Sequence, residues 1–335
     1  MNRKLLEGGL KMKTIKQQII QAFSEAGGEF LSGQTLADKI GCSRTAIWKH
    51  IAELKESGFE LEAVRKKGYR MVKVAEQLTE NQIQYQLKAK QFGKKVIHLD
   101  TVDSTQKTAY EEMVNRAEEG TVVIAEEQTA SRGRMLRPWH SAYGKGIWMS
   151  IIVRPMLPPN KTPQFTLIMA IAVAKAIEEV TQLDVEIKWP NDLLINGKKC
   201  TGILTEMFAE ANVVTALIIG VGINVNQEST EFPSELADKA TSLKIQTNQE
   251  QSRIEIVQNI LYYFEKYYAL YMDKGFQPLK ILWESYAKTI GKEIIAKTPH
   301  AEIKGTALCI SEEGFLQVED QAGHVHLIHS ADIEI

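Results

Sequence analysis

Between Glu126 and Trp139 the sequence reads Glu-Glu-Gln-Thr-Ala-Ser-Arg-Gly-Arg-Met-Leu-Arg-Pro-Trp, directly after a largely β-branched run, Thr121 to Ile124. The run has the pattern of a buried strand. The stretch after it cannot be core, because Arg132, Arg134 and Arg137 stand around one glycine with little apolar surface to bury. The chain must therefore fold so that a buried strand delivers a cationic loop to its surface. Guanidiniums offer forked donors suited to carboxylate and phosphate oxygens, although such a loop can also be solvated charge and no more.

The rest of the composition narrows the choices. A net charge of −2 over 335 residues gives no global pull towards nucleic acid, so binding of that kind needs a local patch. This length suits two or three domains. Cys42, Cys200 and Cys309 are odd in number and scattered, which argues against a disulfide framework or a CxxC metal site and suits a reducing cytoplasm. The N-terminal residues lack the apolar stretch of a secretory signal, and residues 1–12 are expected as a disordered leader. The most apolar run, Val213 to Ile223, is too short to span a bilayer and is broken by Gly220 and Gly222, so no membrane partner is expected.

Residues 13–74 carry three helical patterns and a hairpin. Ile15, Ile19, Ile20 and Phe23 share one face of a helix over Thr14–Ala26; Ser32 caps a second helix closed by Gly41. Ser43 caps a third, with Ile47, Ile51 and Leu54 inward and Gly58 at its end. Arg44, Thr45, Trp48 and Lys49 then face outward near that helix's N-terminus, where a recognition helix reaches base edges. Phe59–Val64 and Tyr69–Val72 read as strands joined by Arg65-Lys66-Lys67-Gly68, a wing with a cationic tip placed for phosphate. The alternative is a protein-contact domain with an incidentally basic hairpin. Residues 75–92 are polar with weak helical periodicity and read as a linker.

Beyond them, Val96–Leu99 reads as a strand and Ser104 as the cap of a helix whose free N–H groups favour a polar or anionic ligand. Gly146–Val153 reads as a strand and Thr166–Thr181 as a well-buried helix. Lys188, at the end of a strand before Trp-Pro, would be half-buried and must pair with an anion, either a structural carboxylate or a ligand. Asn196-Gly197 signals a hairpin. The strand from Val213 ends in Gly220-Val-Gly-Ile-Asn-Val-Asn226, whose glycines let backbone approach a ligand. No third glycine makes this a dinucleotide fingerprint, and no Walker A motif occurs.

Asp103-Ser104-Thr105, the Arg-Gly-Arg loop after Gln128, Lys188-Trp-Pro-Asn-Asp192 and Gly220–Asn226 stand in the order found in biotin–protein ligases. With the N-terminal winged helix, the chain from residue 13 onward resembles the bacterial bifunctional type, a biotin–[acetyl-CoA-carboxylase] ligase that is also the biotin operon repressor. The resemblance implies an α+β multidomain fold. A winged helix-turn-helix would occupy residues 13–74. A central mixed-sheet ligase domain like class II aminoacyl-tRNA synthetases would span residues 93–288, and an SH3-like β-barrel residues 289–335. It implies ATP and Mg²⁺, with biotin as substrate and corepressor precursor. It also implies a biotin carboxyl carrier protein or domain, operator DNA and a homodimer loaded with biotinyl-5′-AMP as partners, in the cytoplasm.

Adenylation brings a carboxylate against an α-phosphate, which requires fixed cations and Mg²⁺ rather than a general base. By resemblance Lys188 bridges the biotin carboxylate and the α-phosphate, and Arg132 and Arg134 belong to a loop that folds over the intermediate. Ser104, Thr105, Gln106, Gln128 and Gly133 match biotin-binding positions, and Asn191, Gly220, Gly222 and Asn224 match the nucleotide side. Three positions depart from the family's pattern: Ser131 and Leu136 replace loop glycines, and Cys309 stands where glycine is expected. A non-glycine at a left-handed position costs about 1 kcal/mol. Two rivals remain, a lipoate–protein ligase and a ligand-sensing regulator without transferase activity.

Thr247–Lys274 reads as a long helix and Pro278–Lys288 as a shorter one. From Lys292 the pattern changes to short strands separated by Gly305, Gly314 and Gly323. His324, His326 and His329 invite a metal reading, but no acidic or cysteine partner is spaced for a closed site, and no metal is expected there.

Overall fold

The structure is a computed structural model that describes residues 15–56, 59–73, 77–298 and 301–334; the expected leader and Gly58 lie outside the described residues. The chain divides into two units, Met1–Glu76 with Gln84–Gln86, and Gln77–Ile83 with Leu87–Ile335.

In the first unit, α1 (Ile15–Glu25), α2 (Gly33–Ile40) and α3 (Arg44–Glu56) precede a hairpin of β1 (Glu60–Val64) and β2 (Gly68–Lys73). The Ser32 side chain accepts from Thr35 N–H, and Gly41, at φ 76°, closes α2 with its N–H on Ala37 O. Ser43 Oγ accepts from Ala46 N–H at 3.1 Å and starts α3. Ile19, Phe23, Leu36, Ile47, Leu54 and Phe59 form one core. The hairpin is pinned to the chain before α2 by reciprocal Leu31–Tyr69 backbone bonds of 2.8 Å. A Cβ on Gly68 would lie 2.1 Å from Leu31 O, so only glycine fits there.

The second unit begins at Gln77, takes in α4 (Glu80–Gln84) up to Ile83, and is built on a seven-stranded sheet. Its strands are β3 (Val96–Val102), β4 (Val122–Gln128), β5 (Gly146–Val153), β6 (Glu186–Lys188), β7 (Asp192–Ile195), β8 (Lys198–Glu210) and β9 (Val213–Asn224), in the order β3-β4-β5-β9-β8-β7-β6. The β3–β4 pair is parallel, with α5 (Thr105–Val114) in the crossover, and the other pairs are antiparallel. Strand β5 is buried along its whole length, as its unbroken apolar run requires. Helix α6 (Thr162–Thr181) is buried nearly all round from Gln164 to Ile177. After α7 (Leu243–Thr247) come α8 (Arg253–Lys274) and α9 (Gln277–Tyr286). The long helix expected from Thr247 starts at Arg253 instead. Asn248, at φ 58°, ends α7, and Ser252 accepts from Glu255 N–H to begin α8. The C-terminal sheet holds β10 (Glu293–Lys297), β11 (Glu302–Ile310), β12 (Leu316–Asp320), β13 (Val325–Ile328) and β14 (Asp332–Glu334), antiparallel in the order β13-β12-β11-β10-β14. Cys309 lies within β11 outside the left-handed region, so its backbone does not need the glycine expected there.

Much of the stretch expected as a linker belongs to the second unit and contributes buried residues to it. Leu78, Ile83 and Phe92 are wholly buried, Phe92 sets its ring edge-on to Phe264 at 5.1 Å, and Glu265 accepts the N–H groups of Lys90, Gln91 and Phe92. Its polar composition concealed this, because Glu265 supplies acceptors for backbone that would otherwise need water.

One buried carboxylate joins these parts. Glu126 Oε2 takes Arg253 Nη1 at 2.6 Å, while Oε1 takes Leu78 N–H at 2.9 Å and faces His98 Nε2 at 3.4 Å. Burial pushes the Glu126 carboxyl up, but His98, Arg253 and Leu78 outweigh it and hold the group at about 2. The folded pKa is depressed, so the contribution is full above the unfolded value, about 4.3, and is lost as pH falls towards 2. Glu126→Ala removes the carboxylate that faces the buried Arg253 guanidinium and should destabilise the second unit by about 3 kcal/mol, measured by urea unfolding at pH 7. The gap from wild type should narrow below pH 4.

Candidate functional site

A cavity of about 380 Å³ opens where the arginine loop meets β5, β8 and β9. Ser104, Thr105, Gln106, Gln128, Arg132, Gly133, Arg134, Asn191, Gly220, Gly222 and Asn224 all line it. The strand order explains the convergence. The ends of β3 and β4 carry Ser104 and Gln128, the β6–β7 turn carries Asn191, and β9 supplies the glycines beside β8.

One end is neutral and hydrogen-bonded. Ser104 caps α5 by accepting from Gln106 N–H at 3.2 Å. Gln128 Oε1 accepts from Thr105 N–H at 2.8 Å, and its Nε2 donates to Ser141 Oγ at 3.1 Å. Thr105 Oγ1 and Ser150 Oγ lie 2.8 Å apart, Ser150 donates to Gln106 Oε1 at 2.9 Å, and Gln106 Nε2 donates to Ile218 O at 3.0 Å. Ser150 was missed in the sequence, yet it is the one polar residue in the run Ile-Trp-Met-Ser-Ile-Ile-Val, and that was its signal.

The other end carries charge. Arg134 Nη1 donates to Asn191 Oδ1 at 2.9 Å; burial lowers the Arg134 pKa, an effect that Asp192 and Asp332 oppose. Lys199 Nζ stands 2.6 Å from Asp192 Oδ1, and Arg137 is bound to Asp332, which raises the Arg137 pKa. Arg132 and Lys239, both exposed, complete the cationic lining.

Lys188 stands directly across from Asp192 in the β6–β7 pair, on the same face of the sheet. It is half-buried at the end of β6 and does not line the cavity, and among the described residues no carboxylate lies within ion-pair distance of it. Lys199, from β8, is the lysine ion-paired with Asp192. Asn196 and Gly197, at φ 50° and 76°, make a tight turn that brings β8 back beside β7, and a register shift at Leu193/Leu194 sets which residues of β8 oppose which of β7. Two lysines flank one Asn-Asp turn, and only strand pairing separates them.

The two unusual loop residues differ in their effects. Ser131 has no left-handed backbone; it is buried, donates to Trp139 O at 2.7 Å and lies 2.9 Å from Ser141 Oγ. Leu136 does occupy the left-handed region, at φ 58°, beside Met135 at φ 54°, so the strain expected at a missing glycine falls there. About 1 kcal/mol at each must be offset by contacts of the flanking residues.

The glycines of β9 make room for side chains rather than standing open. A Cβ on Gly220 would come within 2.7 Å of Gln106 Oε1, and one on Gly222 within 2.7 Å of the Trp139 indole, which also covers Gly202. Lys199 Nζ lies 5.3 Å from the same ring's centroid. Asn224 is buried and accepts from Gln227 Nε2 at 3.1 Å.

In the first unit, Arg44, Thr45, Trp48 and Lys49 are exposed on α3, Trp48 at 65%, opposite buried Ile47, Ile51 and Leu54. Arg65, Lys66 and Lys67 are exposed at the hairpin turn, whereas Arg70 is held by Glu62 and lies 4.7 Å from the Phe30 ring. In the C-terminal sheet Asp320 faces both His326, at 2.7 Å, and His324, at 3.5 Å, an acidic neighbour that spacing did not reveal; His329 packs on Phe315 instead. Among the described residues no three His, Cys, Asp or Glu side chains are grouped to hold a metal.

The profile of the Biotin/lipoate A/B protein ligase family matches residues 99–224, that of an HTH domain residues 16–70, and that of the Biotin protein ligase C terminal domain residues 289–335. The chain is 52% identical to the bifunctional ligase/repressor BirA of Bacillus subtilis over 96% of its own length and 99% of that protein's. It belongs to the bifunctional biotin–protein ligase family. The Escherichia coli bifunctional ligase/repressor BirA is 28% identical over 92% of this chain and 94% of its own. A biotin protein ligase from Aquifex aeolicus, solved in complex with biotin and ATP, superimposes with a TM-score of 0.63 at 31% identity. The match covers 72% of this ligase/repressor and 98% of the Aquifex chain. Among the described residues no helix is long and apolar enough to cross a membrane.

Gly222→Ala should push the Trp139 indole off β9 and weaken biotin binding by about tenfold, measured by calorimetry, while the melting temperature stays within a few degrees.

Proposed function

We propose that this cavity binds biotin and ATP together and joins them as biotinyl-5′-AMP, which then passes biotin to a lysine of a carrier domain. The observation that carries the reading is the cavity's division into a neutral hydrogen-bonding end and a cationic end bearing Lys199. A ureido ring needs both donors and acceptors without net charge, and Gln128, Thr105, Ser104 and Ser150 are groups of that kind. A carboxylate approaching an α-phosphate needs fixed positive charge, and Lys199, Arg132 and Arg134 are within the lining. In the first step a biotin carboxylate oxygen bonds to the α-phosphorus and pyrophosphate leaves. In the second the carrier's amine attacks the anhydride carbonyl and AMP leaves. Lys188, opposite Asp192 across the β6–β7 pair, is assigned the bridging role, and Lys199 is assigned a place among the cations that face the phosphates.

Mg²⁺ fits this site as a companion of ATP. Asp192 and Asp332 are the carboxylates in the lining, and each is already against a cation. The ion would thus be held largely by phosphate oxygens and water, its usual habit in nucleotide sites, and would neutralise developing charge there. The neutral network favours biotin over lipoate, whose ring has no ureido group to satisfy it. The free cysteines, with the buried Cys200 thiol pushed up to about 12, suit a reducing cytoplasm.

Lys188→Ala should lower the rate of adenylate formation by about 100-fold and Lys199→Ala by about tenfold, followed by pyrophosphate release. Equal losses in the two variants would refute the assignment. Repression is assigned to α3 and the hairpin: Ser43, Arg44, Thr45, Trp48 and Lys49 face base edges and Arg65, Lys66 and Lys67 face phosphates. Adenylate binding would favour a homodimer matched to a two-fold operator. A gel shift on biotin-operon promoter DNA should tighten about tenfold with biotin plus ATP over either alone; no ligand dependence would leave a ligase without this regulation.

A further inference from the structure

The tip of the arginine loop is held from the C-terminal sheet. Arg137 meets Asp332 with both ends of its guanidinium, Nη1 to Oδ1 at 3.2 Å and Nη2 to Oδ2 closer still. Arg134 Nη2 donates to Ser330 Oγ at 2.6 Å and to Ala331 O at 3.4 Å. The acceptors are consecutive residues leading into β14. Their backbone is fixed, since Ala331 and Ile333 are buried and Asp332 opposes Lys297 in the β10–β14 register. Between the two arginines, Met135 and Leu136 have left-handed backbone and expose their side chains, at 61% and 74%. Burial does not hold this tip, so its shape depends on what Arg134 and Arg137 grip.

We infer that Asp332 is a positioning residue for adenylate formation: by fixing Arg137 it sets the arginine loop over the cavity before nucleotide arrives. The inference rests on the proposed reading of the cavity. A two-point guanidinium–carboxylate pair orients as well as attracts. Fixing the loop in advance removes ordering that nucleotide binding would otherwise have to supply. The effect falls on ATP, because Arg134, Arg137 and Asp332 lie at the cationic end. It does not fall on the neutral network of Thr105, Gln128 and Ser150, which is closed among its own groups. The opposite role, a carboxylate that merely occupies a phosphate's place, would make ATP bind more tightly once Asp332 is removed.

Trypsin reads the loop directly. It can cut after Arg132 and Arg134, while Pro138 blocks the bond after Arg137. In the ligand-free full-length protein, Asp332→Ala should be cut at these two bonds about five times faster than wild type, and Asp332→Glu at close to the wild-type rate. In turnover, Asp332→Ala should raise KM for ATP by about the same factor and leave KM for biotin within about twofold. Ser330→Ala should shift cleavage in the same direction by less. Wild-type cleavage of Asp332→Ala, or a fall in its KM for ATP, overturns the inference. Cleavage is measured without biotin or ATP, so it tests the loop's anchoring even if the wild-type protein formed no adenylate, which would instead refute the reading of the cavity.

Discussion

The second unit depends on a single buried anion. Glu126 stands on β4 two residues before Gln128, and its carboxylate accepts from Arg253 at the start of α8 and from Leu78 at the unit's entry, beside His98 on β3. A carboxylate out of water needs such partners, and three separate segments supply them. Because the arginine loop leaves β4 just beyond it, the same interaction that closes the interior also sets the root of the loop. The loop is therefore anchored at its base by a buried charge network, and at its tip by partly exposed arginines. That combination suits a segment that must cover a reactive intermediate and later release it.

Between these anchors the cavity separates two kinds of recognition. Neutral amide and hydroxyl groups at one end satisfy one another through Gln128, Thr105, Ser150 and Gln106, and a ligand must exchange bonds with them on entry. At the other end Lys199 and Arg137 are matched by Asp192 and Asp332, so net positive charge is moderated until a polyphosphate arrives. Trp139 rests on a glycine floor of Gly202 in β8 and Gly222 in β9, with Lys199 Nζ 5.3 Å from its ring centroid. A cavity divided in this way favours a ligand pair with one uncharged polar ring and one polyanion.

Much of this was legible in the residues. The caps at Ser32, Ser43 and Ser104, the hairpin at Asn196-Gly197 and the buried run of β5 each rest on local rules of backbone and burial. So does the outward face of α3, since Ile47, Ile51 and Leu54 leave only one side for Arg44, Trp48 and Lys49. The concealed parts were those in which a distant residue changed the meaning of a local pattern. Glu265 tied the backbone of a polar stretch to α8, Asp320 stood between two histidines, and Trp139 occupied space that the glycines seemed to reserve for a ligand.

The sequence by itself determined the fold class, the winged helix and the gathering of Ser104, Gln128, the loop arginines and the Asn191 turn into one site. The winged helix rests on periodicity and capping, whereas the fold class and the grouping of the site residues rest on the resemblance carried by motifs that stand in a family's order. Only the tertiary structure decided that Lys199 rather than Lys188 is ion-paired with Asp192, that Leu136 rather than Ser131 bears the left-handed strain, and that Asp332 holds Arg137. Each of these turns on strand register or on a contact between residues far apart in the chain. A side chain's direction depends on which residue it opposes across the sheet, and no local spacing carries that information.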